Sequence, residues 1–385
     1  MQLYKNSNPI DKKIDSLEDA GLLASLEPKA DAESMRLKRF LALPDLSRTE
    51  GSPIREIVKR LLSIPELANF DQVESPEVNR ADVSFDLFNF APDHPARRGS
   101  DTYFLDKEHI LRTHTTIMWY YYLGLPEARE KIAKREPLGL LSFGKVYRKD
   151  EIDRFHLNVF HQMDGLYLMS DEASAVTEED LKDILGKIAK AIFGPNTKYR
   201  FNKDQFPYTD PSIEMEVEQN GKWVEVLGGG MARPQVLKNL GLTGYHGWAF
   251  GFGLERLAIL SMALPDIRLL RSEDPRVKSQ LVLGTPFREV SKYPPVTRDI
   301  SFVVASDFEP NSYFDLIRDI GGDLVEEVSL LDKYEDAVKF GEGRTSYTYH
   351  VVYRASDRTL TLEEVDALQG KLYEETAKQF SAELR

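Results

Sequence analysis

The sequence predicts an α+β protein, with an antiparallel sheet flanked by helices through the middle of the chain and a smaller α+β module at its end. Three observations carry this. Asn220-Gly221 stands between two alternating segments, the strongest short-range hairpin signal, because both turn positions need positive φ. A second strand–loop–strand pattern fills 138–169. Beyond 299, the order strand, helix, strand, strand, helix describes most of a split βαβ, ferredoxin-like module. A chain of 385 residues has room for two or three domains, and 42% apolar with 29% charged residues suits a globular protein with a real core.

Residues 1–48 are highly charged, with helical stretches over 14–26 and 32–43 and no chemistry of their own; they read as a helical N-terminal extension. Ser52 then suits a helix cap and Pro53 the first helical position. Ile54, Ile57, Val58, Leu61 and Leu62 recur at helical spacing, and Pro65 limits the continuation. From about 80 to 270 the pattern changes to short strands, Gly/Pro turns and two helices. Gly284-Thr285-Pro286 reads as a linker. After it come a strand over 299–305, a helix over 311–320 broken by Gly321-Gly322, strands over 325–333 and 345–354, and a helix over 362–380. The expected organisation is an extension over 1–48, a main domain over 49–283 and a ferredoxin-like domain over 284–385.

Composition narrows the chemistry. Cysteine is absent, which excludes disulfides, thiolate metal sites and cysteine nucleophiles. No apolar run approaches the 18 residues that a membrane-spanning helix needs, so no membrane association is expected. Met1-Gln2-Leu3-Tyr4-Lys5 leads into polar sequence, so no secretory leader is expected. The expected compartment is the cytoplasm, or the mitochondrial matrix if a transit peptide has been removed. With 50 basic and 63 acidic residues the net charge is −13, which makes a poor general nucleic-acid binder. An RNA partner would need a local concentration of basic residues.

Four constellations carry chemistry. The two-residue Asn220-Gly221 turn sets Val217 opposite Val224 and Met215 opposite Val226 on an apolar face. On the other face Glu216 falls opposite Glu225, with Glu214 and Glu218 beside them. Like charges directly opposed destabilise a sheet. Either this face is simply solvated, or a divalent cation reverses the sign, with Glu216 and Glu225 near Mg²⁺ of a bound nucleotide. Within 138–169, Arg148 ends the first strand, and a polar loop over 149–158 holds Asp150, Glu151, Asp153, Arg154 and His156. Period-two alternation then puts Phe160, Gln162 and Asp164 on one face of the returning strand, and His161 and Met163 on the other. The Arg148 fork can grip a phosphate. Gln162 plus Asp164 could hold an ammonium group. Each also reads, alone, as a surface polar residue. The run from Gly247 to Arg256 is a glycine-rich strand and turn feeding a helix, where backbone can approach a ligand and Arg256 adds positive charge. Only Gly251 and Gly253 match G-x-G-x-x-G, so it is a weak dinucleotide fingerprint. Phe206 and Tyr208 stand two apart; on an extended segment they face one way, walling a flat pocket or filling a core.

Together and in this order, these segments resemble a class II aminoacyl-tRNA synthetase, and within that class the phenylalanyl-tRNA synthetases, the single-chain organellar type above all. The resemblance covers about 50–385. Its carriers are Asp101-Thr102-Tyr103-Phe104-Leu105, Leu111-Arg112-Thr113-His114-Thr115, Val146-Tyr147-Arg148-Lys149-Asp150, Phe160-His161-Gln162-Met163-Asp164-Gly165, the 206–211 and 223–228 segments, 247–256 and Pro265-Asp266-Ile267-Arg268-Leu269. His94-Pro95-Ala96-Arg97 also fits. Lys292-Tyr293-Pro294, Arg298-Asp299-Ile300-Ser301-Phe302, Gly321-Gly322-Asp323-Leu324-Val325 and Arg358-Thr359-Leu360-Thr361 resemble the ferredoxin-fold anticodon-binding domain of the same family.

The resemblance implies a class II antiparallel sheet and an ATP-dependent ligase that joins phenylalanine to tRNA(Phe) through a phenylalanyl-adenylate. Arg148 and Arg256 would be the catalytic arginines on the ATP phosphates, with Phe155, His156, Leu157, Glu225 and Phe250 also in the ATP site. His114, Thr115 and Thr116 would line the amino-acid site, Gln162 and Asp164 the α-amino end, Phe206 and Tyr208 the ring, and Ala249 its para position; Phe250 would touch substrate or adenine. Mg²⁺ would accompany ATP, and the terminal-ribose 2′-hydroxyl of tRNA would take the acyl group. The family implies a monomer. Lys292, Arg298, Lys339, Arg344, Arg354 and Arg358 are the candidate tRNA contacts, with Tyr293, Tyr347 and Tyr349 either stacking on bases or filling the sheet core. The segment 286–385 nevertheless carries 12 basic and 20 acidic residues, net −8, so weak, salt-dependent binding is expected. The family usually has Phe at 208 and Glu at 164. An unpaired Tyr208 hydroxyl would cost about 1–3 kcal/mol and favour a polar ring. A different or modified aromatic amino acid, or a non-catalytic RNA-binding relative, is therefore the alternative.

Overall fold

Asn220 and Gly221 both take positive φ, 52° and 77°. The strands they join pair as the turn dictates, Val217 against Val224 and Glu216 against Glu225. One detail differs from expectation. A bulge between Met215 and Glu216 shifts the next pair, so Met215 faces Leu227 rather than Val226.

These strands belong to an eight-stranded sheet. In chain order its members are β1 (Asp11–Lys13), β2 (Asp71–Glu74), β3 (Leu138–Tyr147), β4 (Val159–Ser170), β5 (Tyr199–Phe206), β6 (Thr209–Gln219), β7 (Lys222–Ala232) and β8 (Tyr245–Gly253). In space the order is β1-β2-β3-β4-β8-β7-β6-β5. Both β1 and β3 run parallel to β2, and the other neighbouring pairs are antiparallel. The computed structural model describes residues 6, 9–15, 17–149, 154–290, 292–308, 310–355 and 358–385. Residues 1–5 and Asp150, Glu151 and Asp153 of the expected polar loop lie outside the described residues.

Helices cover one face of this sheet. The labelled ones are α1 (Leu17–Leu26), α2 (Ala32–Ala42), α3 (Pro53–Leu62), α4 (Glu178–Phe193) and α5 (Leu254–Met262). The α3 helix begins where its sequence directs: Ser52 Oγ accepts the Ile54 N–H at 3.2 Å and Pro53 fills the first turn. Its stripe of Ile54, Ile57, Val58 and Leu61 is fully buried, at about 1.5–3 kcal/mol of stabilisation per side chain. A Thr177–Asp180 capping box starts α4. Side chains of α3, α4 and α5 share a core with Met163, Trp248, Phe250 and Phe252 of the sheet.

The described residues of 1–48, expected as an extension, belong to the first compact unit of the chain. The short β1 adds a strand beside β2. The wholly buried Asp71 ties it down, accepting from Asn6 Nδ2 and Ile10 N–H at 2.8 Å, and from Tyr122 Oη and Lys131 Nζ at 2.6 Å. Leu26, Leu37 and Phe40 of α1 and α2 pack on Val78, Tyr103, Leu111, Tyr147 and Val159.

The chain divides into two compact units, Met1–Phe287 and Arg288–Arg385. The second contains β9 (Val296–Ala305), α6 (Pro310–Gly321), β10 (Val325–Glu335), β11 (Arg344–Tyr353), α7 (Leu362–Phe380) and β12 (Glu383–Leu384). Its antiparallel sheet has the order β10-β11-β9-β12. A capping box of Thr361 and Glu364 starts α7 at the expected residue, Leu362. Phe302, Tyr313, Tyr349, Val351, Tyr353 and Leu372 form its core. Tyr347 and Tyr349 are only 6% and 1% exposed; they are core tyrosines, and the stacking role open to them in the sequence does not hold. No helix among the described residues is long and apolar enough to cross a membrane.

Candidate active site

Strand alternation decides which side chains meet. On β8, Trp248, Phe250 and Phe252 point to the helices, so Ala249, Gly251 and Gly253 lie on the opposite face. Gly251 pairs with Asp164 and Gly253 with Gln162 on β4, so these residues share that face. There they border a cavity of about 640 Å³.

The floor of the cavity is main chain. Gly228 of β7 pairs with Gly251 of β8, and both border the cavity. A Cβ on Gly228 would come 2.7 Å from the Phe206 ring, and one on Gly251 would come 2.6 Å from Asp164 Oδ1; the next residue, Gly229, pairs with Phe250 and faces the helix side. The wall is aromatic. Phe206 and Tyr208 stack with centroids 6.1 Å apart and planes at 10°. Phe88, Phe90, His114 and Trp119 surround Tyr208 at 6.1–6.4 Å.

A buried carboxyl group borders the cavity. Asp164 is 5% exposed. The Thr115 hydroxyl donates to its Oδ2 and the Thr116 hydroxyl to its Oδ1 at 2.7 Å. Burial pushes the Asp164 carboxyl up to about 6, against the pull of those hydroxyls and of Arg148. Beside it, Gln162 Oε1 is buried with no hydrogen-bond partner among the described residues. Burial and the nearby Arg148 push His114 down to about 3, so its imidazole is neutral. Burial, with Asp164 nearby, pushes the Tyr208 hydroxyl up to about 12, against the pull of Thr116.

The other end carries positive charge. Arg148 Nε donates to the Thr113 carbonyl at 2.8 Å, and its guanidinium lies 5.2 Å from the Phe160 ring. Arg256 Nη1 stands 3.5 Å from Glu225 Oε1, with both side chains about half exposed. Phe155, His156 and Leu157 border the same opening.

Of the residues expected in the ATP, amino-acid and metal sites, only Thr115 and Glu216 do not border the cavity. Thr115 acts from behind, on Asp164. Glu216 stands opposite Glu225 as expected, but Arg200 of β5 binds it at 2.6 Å and Asn202 at 2.8 Å. A neighbouring strand thus relieves the like-charge conflict that suggested a metal there. No cluster of three His, Asp or Glu side chains among the described residues could hold a metal. Phe250 borders the cavity, yet its ring packs against Gly165 and stacks between Trp248 and Phe252 in the helix-side core. The ring contact with substrate or adenine expected of it does not arise from this arrangement.

Sequence reasoning missed Phe90, Gln205 and Gly228 at the cavity, and Phe88 behind them against Tyr208. A signal was present for the phenylalanines: Phe88-Asn89-Phe90 repeats the two-apart pattern of Phe206 and Tyr208.

In the second unit the candidate RNA contacts are already engaged. Arg298 pairs with Asp366 at 2.7 Å, Arg344 with Glu383 at 3.1 Å, Arg354 with Glu326 at 2.6 Å and Arg358 with Glu364 at 2.9 Å. Lys292 lies over Tyr293 and Lys339 over Phe340. Arg344 opens β11 and Arg354 follows its end. At about 3.3 Å per residue they stand about 33 Å apart.

Comparison with known proteins agrees with this architecture. Residues 41–281 match the family of tRNA synthetases class II core domain (F), and residues 291–385 match the ferredoxin-fold anticodon binding domain. The phenylalanine--tRNA ligase, chloroplastic/mitochondrial, of Arabidopsis thaliana is 39% identical over 313 residues, covering 78% of this chain and 70% of its own. The phenylalanine--tRNA ligase, mitochondrial, of Mus musculus is 35% identical over 360 residues, covering 83% and 76%. That of Saccharomyces cerevisiae is 32% identical over 382 residues, covering 78% and 80%. A class II core followed by a ferredoxin-fold domain, with relatives of one kind along most of its length, means that the chain belongs to the phenylalanine--tRNA ligases of the class II aminoacyl-tRNA synthetases.

Proposed function

We propose that this chain joins phenylalanine to tRNA(Phe) in two steps, using ATP. The observation that carries the reading is the single cavity that sets Arg148 and Arg256 at one end and an aromatic wall with Asp164 and Gln162 at the other. The substrate ring lies against Phe206 and Tyr208, with Ala249 at its para position. The Asp164 carboxylate and the Gln162 carbonyl accept hydrogen bonds from the α-ammonium group. That leaves the substrate carboxylate facing the phosphates of ATP held by Arg148 and Arg256. One carboxylate oxygen forms a bond to the α-phosphorus as the bond to pyrophosphate breaks, giving the adenylate. A terminal-ribose hydroxyl of tRNA then takes the acyl group and AMP leaves. Catalysis is positioning and charge neutralisation; no protein nucleophile is used.

Glu225 at the cavity mouth fits a magnesium ion carried in with the nucleotide, since Mg²⁺ takes one or two carboxylates plus substrate phosphates. That ion would supply charge neutralisation at the phosphate oxygens. Phe155, His156 and Leu157 border ATP and the acceptor end of tRNA. Residues 49–283 serve as the catalytic domain and 284–385 as the anticodon-binding domain, with Lys292 and Lys339 the first candidates among its basic residues. The chain works as a monomer, as its family resemblance implies. The organellar names of the relatives favour the mitochondrial alternative over the cytoplasm.

Amino-acid-dependent ATP–pyrophosphate exchange tests this across the twenty standard amino acids. Phenylalanine alone should stimulate exchange, and Arg148→Ala should abolish it in a folded protein. Stimulation by tyrosine instead, or near-normal exchange in Arg148→Ala, would overturn the assignment.

A further inference from the structure

His161 lies on the helix-side face of β4, behind the cavity, and is wholly buried. Its two ring nitrogens have different partners. Nδ1 stands 2.6 Å from Glu255 Oε1, and the His161 backbone N–H donates to Glu255 Oε2 at 2.8 Å. One residue therefore holds both oxygens of a carboxylate that is itself 3% exposed. On the far side Nε2 accepts the Leu46 N–H at 2.9 Å. Asp45 Oδ1 lies 3.4 Å from Nε2, but it already accepts from the Ser47 N–H at 2.9 Å and the Ser47 hydroxyl at 2.5 Å. A nitrogen that accepts an N–H carries no proton, so the ring proton sits on Nδ1 and is donated to Glu255.

Glu255 immediately precedes Arg256 in the first turn of α5. Whatever fixes Glu255 fixes the turn from which Arg256 leaves for the cavity. Arg271 lies nearby and interacts electrostatically with both Glu255 and Asp45, and its Nη2 lies 3.5 Å from the Val159 carbonyl.

We propose that His161 is a positioning residue for Arg256. It acts through Glu255, and the backbone of Leu46, from the N-terminal segment without chemistry of its own, holds its working tautomer. This rests on the reading of Arg256 as a phosphate ligand. Groups behind a functional side chain that set its orientation commonly control activity by about 10- to 100-fold.

Two variants separate the halves of the relay. The Asn amide nitrogen falls near the Nδ1 position and the Gln amide near Nε2. His161→Asn keeps a donor toward Glu255, whereas His161→Gln keeps a group for Leu46 and drops that donor. In pyrophosphate exchange His161→Gln should lower kcat/KM for ATP by about 10- to 100-fold, with the KM for phenylalanine unchanged. His161→Asn should stay within about threefold of wild type. Equal losses in the two variants, or losses that fall equally on both substrates, would mean a packing role only and overturn the proposal. Imidazole ¹⁵N spectra of the wild-type protein give a readout that does not depend on the variants folding. A bare Nε2 and a protonated Nδ1 are expected, and a protonated Nε2 overturns the relay. Wild-type protein without exchange would instead refute the reading of the site, a result distinct from either.

Discussion

The buried Asp164 makes the amino-acid affinity pH-dependent, and the size of the effect follows from its surroundings. With its carboxyl pushed up to about 6 by burial, the free protein carries a charged Asp164 in about nine molecules of ten at pH 7 and about one of ten at pH 5. Only the charged form can pair with an ammonium group. The value of kcat/KM for phenylalanine in exchange, which reports the free enzyme, should therefore fall about tenfold from pH 7 to pH 5. The corresponding value for ATP, taken at saturating phenylalanine, should stay nearly level there, because the bound ammonium keeps the carboxylate charged. In Asp164→Asn the phenylalanine profile should be flat and lower by about 1.5–3 kcal/mol, or about 10- to 150-fold, the contribution of a hydrogen bond to a charged group. The sign for stability runs the other way. A carboxyl whose folded value is raised stabilises the fold below its unfolded value of 3.8, and that stability is lost as pH rises through 6. The shift amounts to about 3 kcal/mol. Asp164→Asn should thus be the more stable protein at pH 7 while binding substrate worse. A flat wild-type profile between pH 5 and 7, or the same slope in Asp164→Asn, would refute the reasoning.

Two further perturbations follow from packing. A Cβ on Gly251 would lie 2.6 Å from Asp164 Oδ1 and 3.0 Å from its Cγ. Gly251→Ala should therefore push that carboxylate off its threonines and raise the KM for phenylalanine about tenfold, at an overpacking cost of about 1–3 kcal/mol; an equal rise in the KM for ATP would sink the argument. Asp71→Ala leaves the Lys131 ammonium and Tyr122 hydroxyl without their buried acceptor and should cost about 3–5 kcal/mol in urea unfolding; a loss under 1 kcal/mol would show that Asp71 does not hold the N-terminal strand.

Periodicity and turn chemistry are local, so they were legible. The Asn220-Gly221 register, the α3 stripe and the Thr361 cap of α7 could all be read from a few neighbouring residues. The cavity face of β4 was legible for the same reason, since Phe160, Gln162 and Asp164 alternate. What stayed hidden depends on distant partners. Nothing near Glu216 announces Arg200, which arrives from another strand of the sheet. The three-residue β1 offers no period to count, and its hold on the sheet depends on Asp71, some 60 residues on. Phe250 was misplaced because the resemblance assigned it to the ligand, whereas alternation from Ala249 puts its ring on the helix side. The bulge at Met215 is a one-residue irregularity that neither flank encodes.

The facing pair Gly228 and Gly251 limits how this pocket can drift over generations. A floor made of main chain offers nothing to trim, and a side chain added at either position strikes a neighbour, Phe206 or Asp164. Mutation can therefore close this end of the pocket but not deepen it. Any change of preferred amino acid has to arise at the walls, where Phe206, Tyr208 and Ala249 can each be exchanged for a neighbour in size. The floor acts as a ratchet, leaving specificity free to move sideways and barred from moving down.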